Sequence, residues 1–119
     1  MSYVNSKPIA QGEITFFPVT ADHFADDGQP APVKARAYVV AHSESGNDHV
    51  IDCASATVTI ISDSAGMTVL RAIVTDPDGA VVRNLSATGH ADLLLPPGIY
   101  EARISRELGL DDMIRNSAD

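Results

Sequence analysis

Thr57-Val58-Thr59-Ile60-Ile61-Ser62-Asp63-Ser64-Ala65-Gly66-Met67-Thr68-Val69-Leu70-Arg71-Ala72-Ile73-Val74 is the stretch that decides the fold class. Its first run is rich in β-branched residues, whose stiff side chains suit a pleated surface. Its second run, Met67 to Val74, has the length of a strand, and Asp63-Ser64-Ala65-Gly66 separates the two. Two such runs joined by a short turn containing glycine predict a β-hairpin.

The same pattern repeats toward the C-terminus. Asp76-Pro77-Asp78-Gly79 is a turn in which Pro77 presets one backbone angle and Gly79 accepts angles closed to other residues. A hairpin arm, Ala80-Val81-Val82-Arg83, is expected after it. Pro96-Pro97-Gly98 makes a further turn between Leu93-Leu94-Leu95 and a strand from Ile99 to Ile104. Only the last segment carries a helical pattern. Leu110, Met113 and Ile114 fall at helical spacing, and Asp111 and Asp112 suit a first turn, so a short helix is expected over 108–116.

Toward the N-terminus, His49-Val50-Ile51-Asp52-Cys53 forms a short strand, preceded by a reversal at Ser45-Gly46-Asn47-Asp48. Lys34 to Ala41 alternates as one strand, with Ala35, Ala37, Val39 and Ala41 on one face. Glu13 to Val19 alternates Ile14 and Phe16 against Glu13 and Thr15, and Pro18 marks an edge or a strand end. Residues 20–33 hold Asp22, Asp26, Asp27, Gly28, Pro30 and Pro32. This composition predicts an extended acidic, proline-rich loop outside the core, available as a contact surface. Residues 1–11 complete the outline as an N-terminal arm. The expectation is one all-β domain over 1–119, a sandwich or barrel of about seven or eight short antiparallel strands.

Composition narrows the function. Sixteen acidic residues against eight basic ones give a formal charge of −8, which repels phosphate backbones and anionic lipid. The basic residues are dispersed along the chain, so direct nucleic-acid binding is not expected. No apolar run approaches the roughly 20 residues of a membrane helix, and the start Met1 to Lys7 does not have the form of a secretory signal. Cys53 is the single cysteine, which leaves no internal disulfide.

Chemistry, if present, rests on histidine. His42, His49 and His90 are candidate metal ligands, with Asp48 and Asp92 near them in sequence, because imidazoles converging from separate segments suit a first-row metal. The competing reading is three exposed or hydrogen-bonded loop histidines, and His23, in the acidic loop, is expected to be solvated. Cys53 reads as a small buried hydrophobe. Ser43, His42 and Glu44 have the residue types of a triad, but neighbours on a strand point to opposite faces. No phosphate-binding loop is present, and Asp76-Pro77-Asp78-Gly79 lacks the other ligands of a calcium loop. Neither an enzyme nor a cofactor is expected.

Several motifs in order resemble small, uncharacterised β-rich proteins of phages and bacteria. Gln11-Gly12-Glu13-Ile14-Thr15-Phe16-Phe17-Pro18-Val19 is similar to their Q-G-D-like opening strand. Pro96-Pro97-Gly98-Ile99-Tyr100 through Ser105-Arg106-Glu107 is similar to their P-P-G-x-Y turn and R-E close. Between these, His49 matches the second histidine of a G-H-x-H element and His90 the last histidine of an H-E-E-H element. Asn47 and Ala87 stand where that pattern has its other two histidines, and Thr88 and Gly89 where it has its acidic pair. The resemblance implies a phage setting. The expected function is a non-enzymatic virion component, a capsid decoration or cement protein. It would be made in the host cytoplasm, present in many copies or as a homo-oligomer, and bound to the major capsid protein or other virion proteins. A small intracellular metal-binding accessory protein using His42, His49 and His90 is the alternative.

Overall fold

A computed structural model describes residues 7–11, 14–24, 27–41, 48–64, 66–84 and 92–105. The helix expected over 108–116 lies outside these residues, as do the reversal at 45–47 and the segment 85–91. Among the described residues the chain is all-β, with eleven strands in two antiparallel sheets. Sheet A runs β1(Ile9–Gln11), β2(Ile14–Val19), β11(Gly98–Ser105), β8(Met67–Val74), β7(Ala56–Ser64) and β3(Gln29–Pro30). Sheet B runs β10(Leu93–Leu95), β9(Ala80–Asn84), β6(His49–Asp52), β5(Ala37–Ala41) and β4(Val33–Lys34). No backbone ladder joins the two among the described residues, which removes the barrel alternative. The strands beyond the expected seven or eight are β1, in the N-terminal arm, and β3 and β4, which arise from the proline-rich segment and the start of the next strand.

One hydrophobic cluster joins the sheets. Ile14, Phe16, Val58, Leu70 and Ala102 come from sheet A, and Val40, Ile51, Val82 and Leu95 from sheet B. Phe16 and Tyr100 meet edge to face with ring centroids 6.3 Å apart, an arrangement favoured by the ring quadrupoles. Strand alternation puts these residues inward and leaves Phe17, Glu101, Arg71 and Thr59 in one row across the outer face of sheet A.

The hairpin predicted first is present, with a tighter turn than expected. Ser64 pairs directly with Met67, and Gly66 takes φ of 92°, a left-handed value suited to glycine. A bulge between Ile60 and Ser62 shifts the register within β7. The other two turns do not close hairpins. After Asp76–Gly79 the chain crosses from β8 in sheet A to β9 in sheet B, and after Pro96–Pro97 it crosses from β10 back to β11. Gly79 is required at the first crossing. Its φ is 90°, and a Cβ there would lie 2.6 Å from the Leu95 carbonyl oxygen. The bend is held by the Gly79 N–H donating to the Asp76 carbonyl and the Asp78 N–H donating to Asp76 Oδ1, both at 2.9 Å.

Two further expectations are corrected. Lys34 to Ala41 is not one strand: it folds at Ala35–Arg36, whose φ values of 53° and 63° make a two-residue hairpin between β4 and β5. The bulge between Val39 and Ala41 then turns both Val40 and Ala41 toward the core, so the predicted alternation fails there. The proline-rich segment is not outside the core either. β3 pairs with the β7 edge, the Ala31 N–H donates to the Val58 carbonyl at 3.1 Å, and Ala31 is buried in the core cluster. The Pro32 carbonyl then accepts from the Val39 N–H at 2.8 Å, so the segment straps the edge of sheet A to the edge of sheet B. Pro18 sits where its missing N–H does least harm. β1 borders β2 only as far as Phe16, leaving Pro18 on the open side while β11 covers the other.

Candidate functional site

Of the three metal candidates, His49 is described; His42 and His90 lie outside the described residues. His49 opens β6, is only 4% exposed, and is engaged with other groups. In register it stands between Ala41, the last residue of β5, and Asn84, the last of β9. The described strands β5 and β9 therefore end at the two positions flanking His49. Among the described residues no group of three or more His, Cys, Asp or Glu side chains is placed to hold a metal. Cys53 departs from its expected place: β6 ends at Asp52, and Cys53 lies in the following turn, partly exposed.

The strongest polar constellation joins Glu101 and Arg103 to His23, the histidine expected to be solvated. Glu101, in the middle of β11, is 7% exposed, and its two carboxylate oxygens have separate partners. Oε1 is 2.7 Å from His23 Nε2, and Oε2 accepts from Arg103 Nε at 2.5 Å. His23 is thus not solvated. Its side chain is 11% exposed, brought over the outer face of sheet A by a turn in which its N–H donates to the Thr20 carbonyl. The Thr20 hydroxyl donates to Asp22, and this bond holds the Asp22 carboxyl below the usual carboxylate range. Phe24 stacks edge to face on His23, and the Arg71 guanidinium stands 6.0 Å from the Phe24 ring while donating to the Asp27 carbonyl at 3.1 Å. Arg103 lies 4.5 Å over Phe17, within cation–π range. With both Glu101 oxygens taken up, the cluster fastens His23, Phe24 and Asp27 to the sheet; it does not resemble a nucleophile and base awaiting substrate.

Sheet B is different. Val81 and Leu94 face each other across β9 and β10 and are 39% and 55% exposed, and Val33 on β4 is 57% exposed. A hollow of about 170 Å³ on this sheet is lined by Ala37, Val39 and Val50 with Lys34, Asp48 and Arg83 at its walls. A wider, shallower hollow lined by Val33, Arg36, Asp52 and Cys53 adjoins it at Ala35. Lys34, Arg36 and Arg83, dispersed in sequence, are gathered here by the β4–β5 turn and the β5–β6–β9 pairing. Arg83 is committed to Asp52 at 2.7 Å. Arg71 and Arg103, by contrast, belong to the closed cluster on sheet A.

A third hollow, of about 340 Å³, lies between β1, β2 and the Pro96–Gly98 turn. Tyr100 closes it, its hydroxyl donating to the Pro96 carbonyl at 2.6 Å, and burial raises its pKa above the ordinary phenol value.

No curated protein and no solved structure matches the chain. A family model does, over residues 10–105, which spans every strand described except the first residue of β1. The chain belongs to the family described as a domain of unknown function, DUF8820.

Proposed function

We propose that this two-sheet domain is a small β-sandwich serving as a non-enzymatic structural component of a phage virion, a decoration or cement protein that binds the major capsid protein or a neighbouring virion protein. The observation that carries the reading is the exposed apolar pair on the outer face of sheet B, Val81 and Leu94 facing each other across β9 and β10. Exposed aliphatic side chains in register on a sheet face suit burial against another protein. The motif order from Gln11 to Glu107 supports the phage setting, and the charge of −8 suits a protein that must not bind the packaged genome. Quantitative mass spectrometry of purified particles tests the reading. A fixed copy number, stoichiometric with the capsid lattice, is the expected result, and absence from particles rejects it.

A second reading, a metal-binding accessory protein using His42, His49 and His90, is supported by the place of His49 between Ala41 and Asn84, the last described residues of β5 and β9. Metal analysis of the purified protein, with His49→Ala and His90→Ala compared against the parent, tests it. Bound metal lost in both variants is expected; a metal-free protein rejects it.

A further inference from the structure

The charge of the chain and the charge of one of its surfaces disagree in sign. In a chain of −8, Lys34 and Arg36 stand exposed on the two sides of a single turn, and Arg83 lines the same hollow as Lys34. Among the described residues the acidic groups lining these hollows are already engaged, Asp52 by Arg83 and Asp48 by other contacts. The turn itself is strained. Ala35 and Arg36 both take left-handed φ, where hairpins of this kind normally use Asn and Gly, and each such residue costs on the order of 1 kcal/mol. Strain of this sort collects at binding sites, where a side chain is held in a position the unstrained chain would not give it. Here the side chain so placed is the cation Arg36.

We propose that the rim of sheet B around Ala35–Arg36 is a docking surface for an acidic, extended segment of a partner protein. Two of its carboxylates, each two residues from a small aliphatic residue and so on the same face of the extended segment, pair with Lys34 and Arg36, and the aliphatic side chain enters the hollow lined by Ala37, Val39 and Val50. Charge complementarity selects this occupant. The overall charge of −8 opposes a nucleic acid or an anionic membrane approaching as an extended surface, whereas a short peptide meets only the local cations. The hollow holds about 170 Å³, room for one valine-sized group and not for a drug-sized ligand. The inference stands apart from the virion reading, because it defines the partner by chemistry and not by the particle.

The test uses the full, isotope-labelled chain titrated with an end-capped Ser-Glu-Ser-Val-Ser-Glu-Ser peptide, whose glutamates and valine fall on one face of an extended chain, followed by amide chemical shifts. Saturable shifts centred on residues 33–37 and 50–54 are expected, weakened by added salt and absent with a lysine–valine peptide. Lys34→Gln combined with Arg36→Asn should weaken binding about tenfold. Asn tolerates the left-handed conformation, so the turn survives, and Lys34→Gln alone provides a second variant without any backbone demand. Shifts centred on Arg71 and Arg103, equal response to the lysine peptide, or no loss in either variant would overturn the proposal. So would inorganic phosphate reproducing the same shifts at the same concentration, which would make the place a simple anion site. A concentration-dependent dimer that the double variant abolishes would also overturn it by naming a second copy of this chain as the occupant.

Discussion

The two sheets share one core, yet their outer faces are finished in opposite ways. On sheet A the segment after β2 folds back over the face, and Glu101, His23, Arg103, Arg71 and Phe24 occupy one another. On sheet B no described segment takes that part, and aliphatic and cationic side chains remain outward. The contrast separates a face finished by its own side chains from one that leaves aliphatic surface to water. A buried carboxylate is retained on sheet A because the Arg103 guanidinium, the His23 imidazole and the segment that covers them compensate its lost hydration. Among the described residues nothing covers Val81 and Leu94 in this way, and they stand 39% and 55% exposed.

The largest expected effect falls on what the two faces have in common. Phe16 is fully buried between the sheets, so Phe16→Ala should cost about 4 kcal/mol and lower the urea midpoint of both sheets together. Separate transitions for the two sheets would break the idea of one core. Glu101→Ala should come next, at about 3 kcal/mol, because it strands His23 and Arg103 beside an emptied site. Glu101→Gln, which keeps an acceptor, should lose less. In the Glu101→Ala background His23→Ala should add little, and a double-mutant cycle measures that coupling. Full additivity would mean that the latch is not one unit.

Legibility in the sequence divides along the same line. The β7–β8 hairpin was readable because its signals are local: β-branched runs and Gly66 lie within a few residues of each other. The turns at Asp76–Gly79 and Pro96–Gly98 were readable as bends but not as sheet crossings, since turn chemistry fixes a reversal and not the partner of the next strand. Ala35–Arg36 was missed because neither residue announces a left-handed turn, and the Val40 bulge was missed because nothing in Tyr38-Val39-Val40-Ala41 marks an extra residue. His23 was misread for a plainer reason. Its partner Glu101 lies 78 residues away, and an acidic, proline-spaced neighbourhood looks like a solvated loop until the strap is in place.

The strained turn yields a prediction of opposite sign. Replacing Ala35 with Asn and Arg36 with Gly supplies the residues that a two-residue turn with left-handed angles prefers, and should raise stability by about 1 kcal/mol. The same change removes one of the two exposed cations. A gain in melting temperature with a loss of acidic-peptide binding would show the strain to be held for contact, and a loss of stability would show that Ala35 and Arg36 make compensating interactions within the monomer.

The smallest effect on stability should come from the most exposed apolar pair. Val81→Ser with Leu94→Ser removes aliphatic surface that already meets water, 39% and 55% exposed, so the unfolding free energy should move by no more than about 0.5 kcal/mol. Their inward neighbours Val82 and Leu95 are fully buried, which makes the comparison sharp: Val82→Ser, one residue away, loses transfer energy and buries a hydroxyl, and should cost several times as much. If the outer pair proves as costly as the inner one, sheet B is covered within the monomer and the contrast between the faces fails. If the outer pair is neutral for folding but removes the protein from purified particles, the exposed aliphatics act only in association, because the folded monomer gains nothing from them.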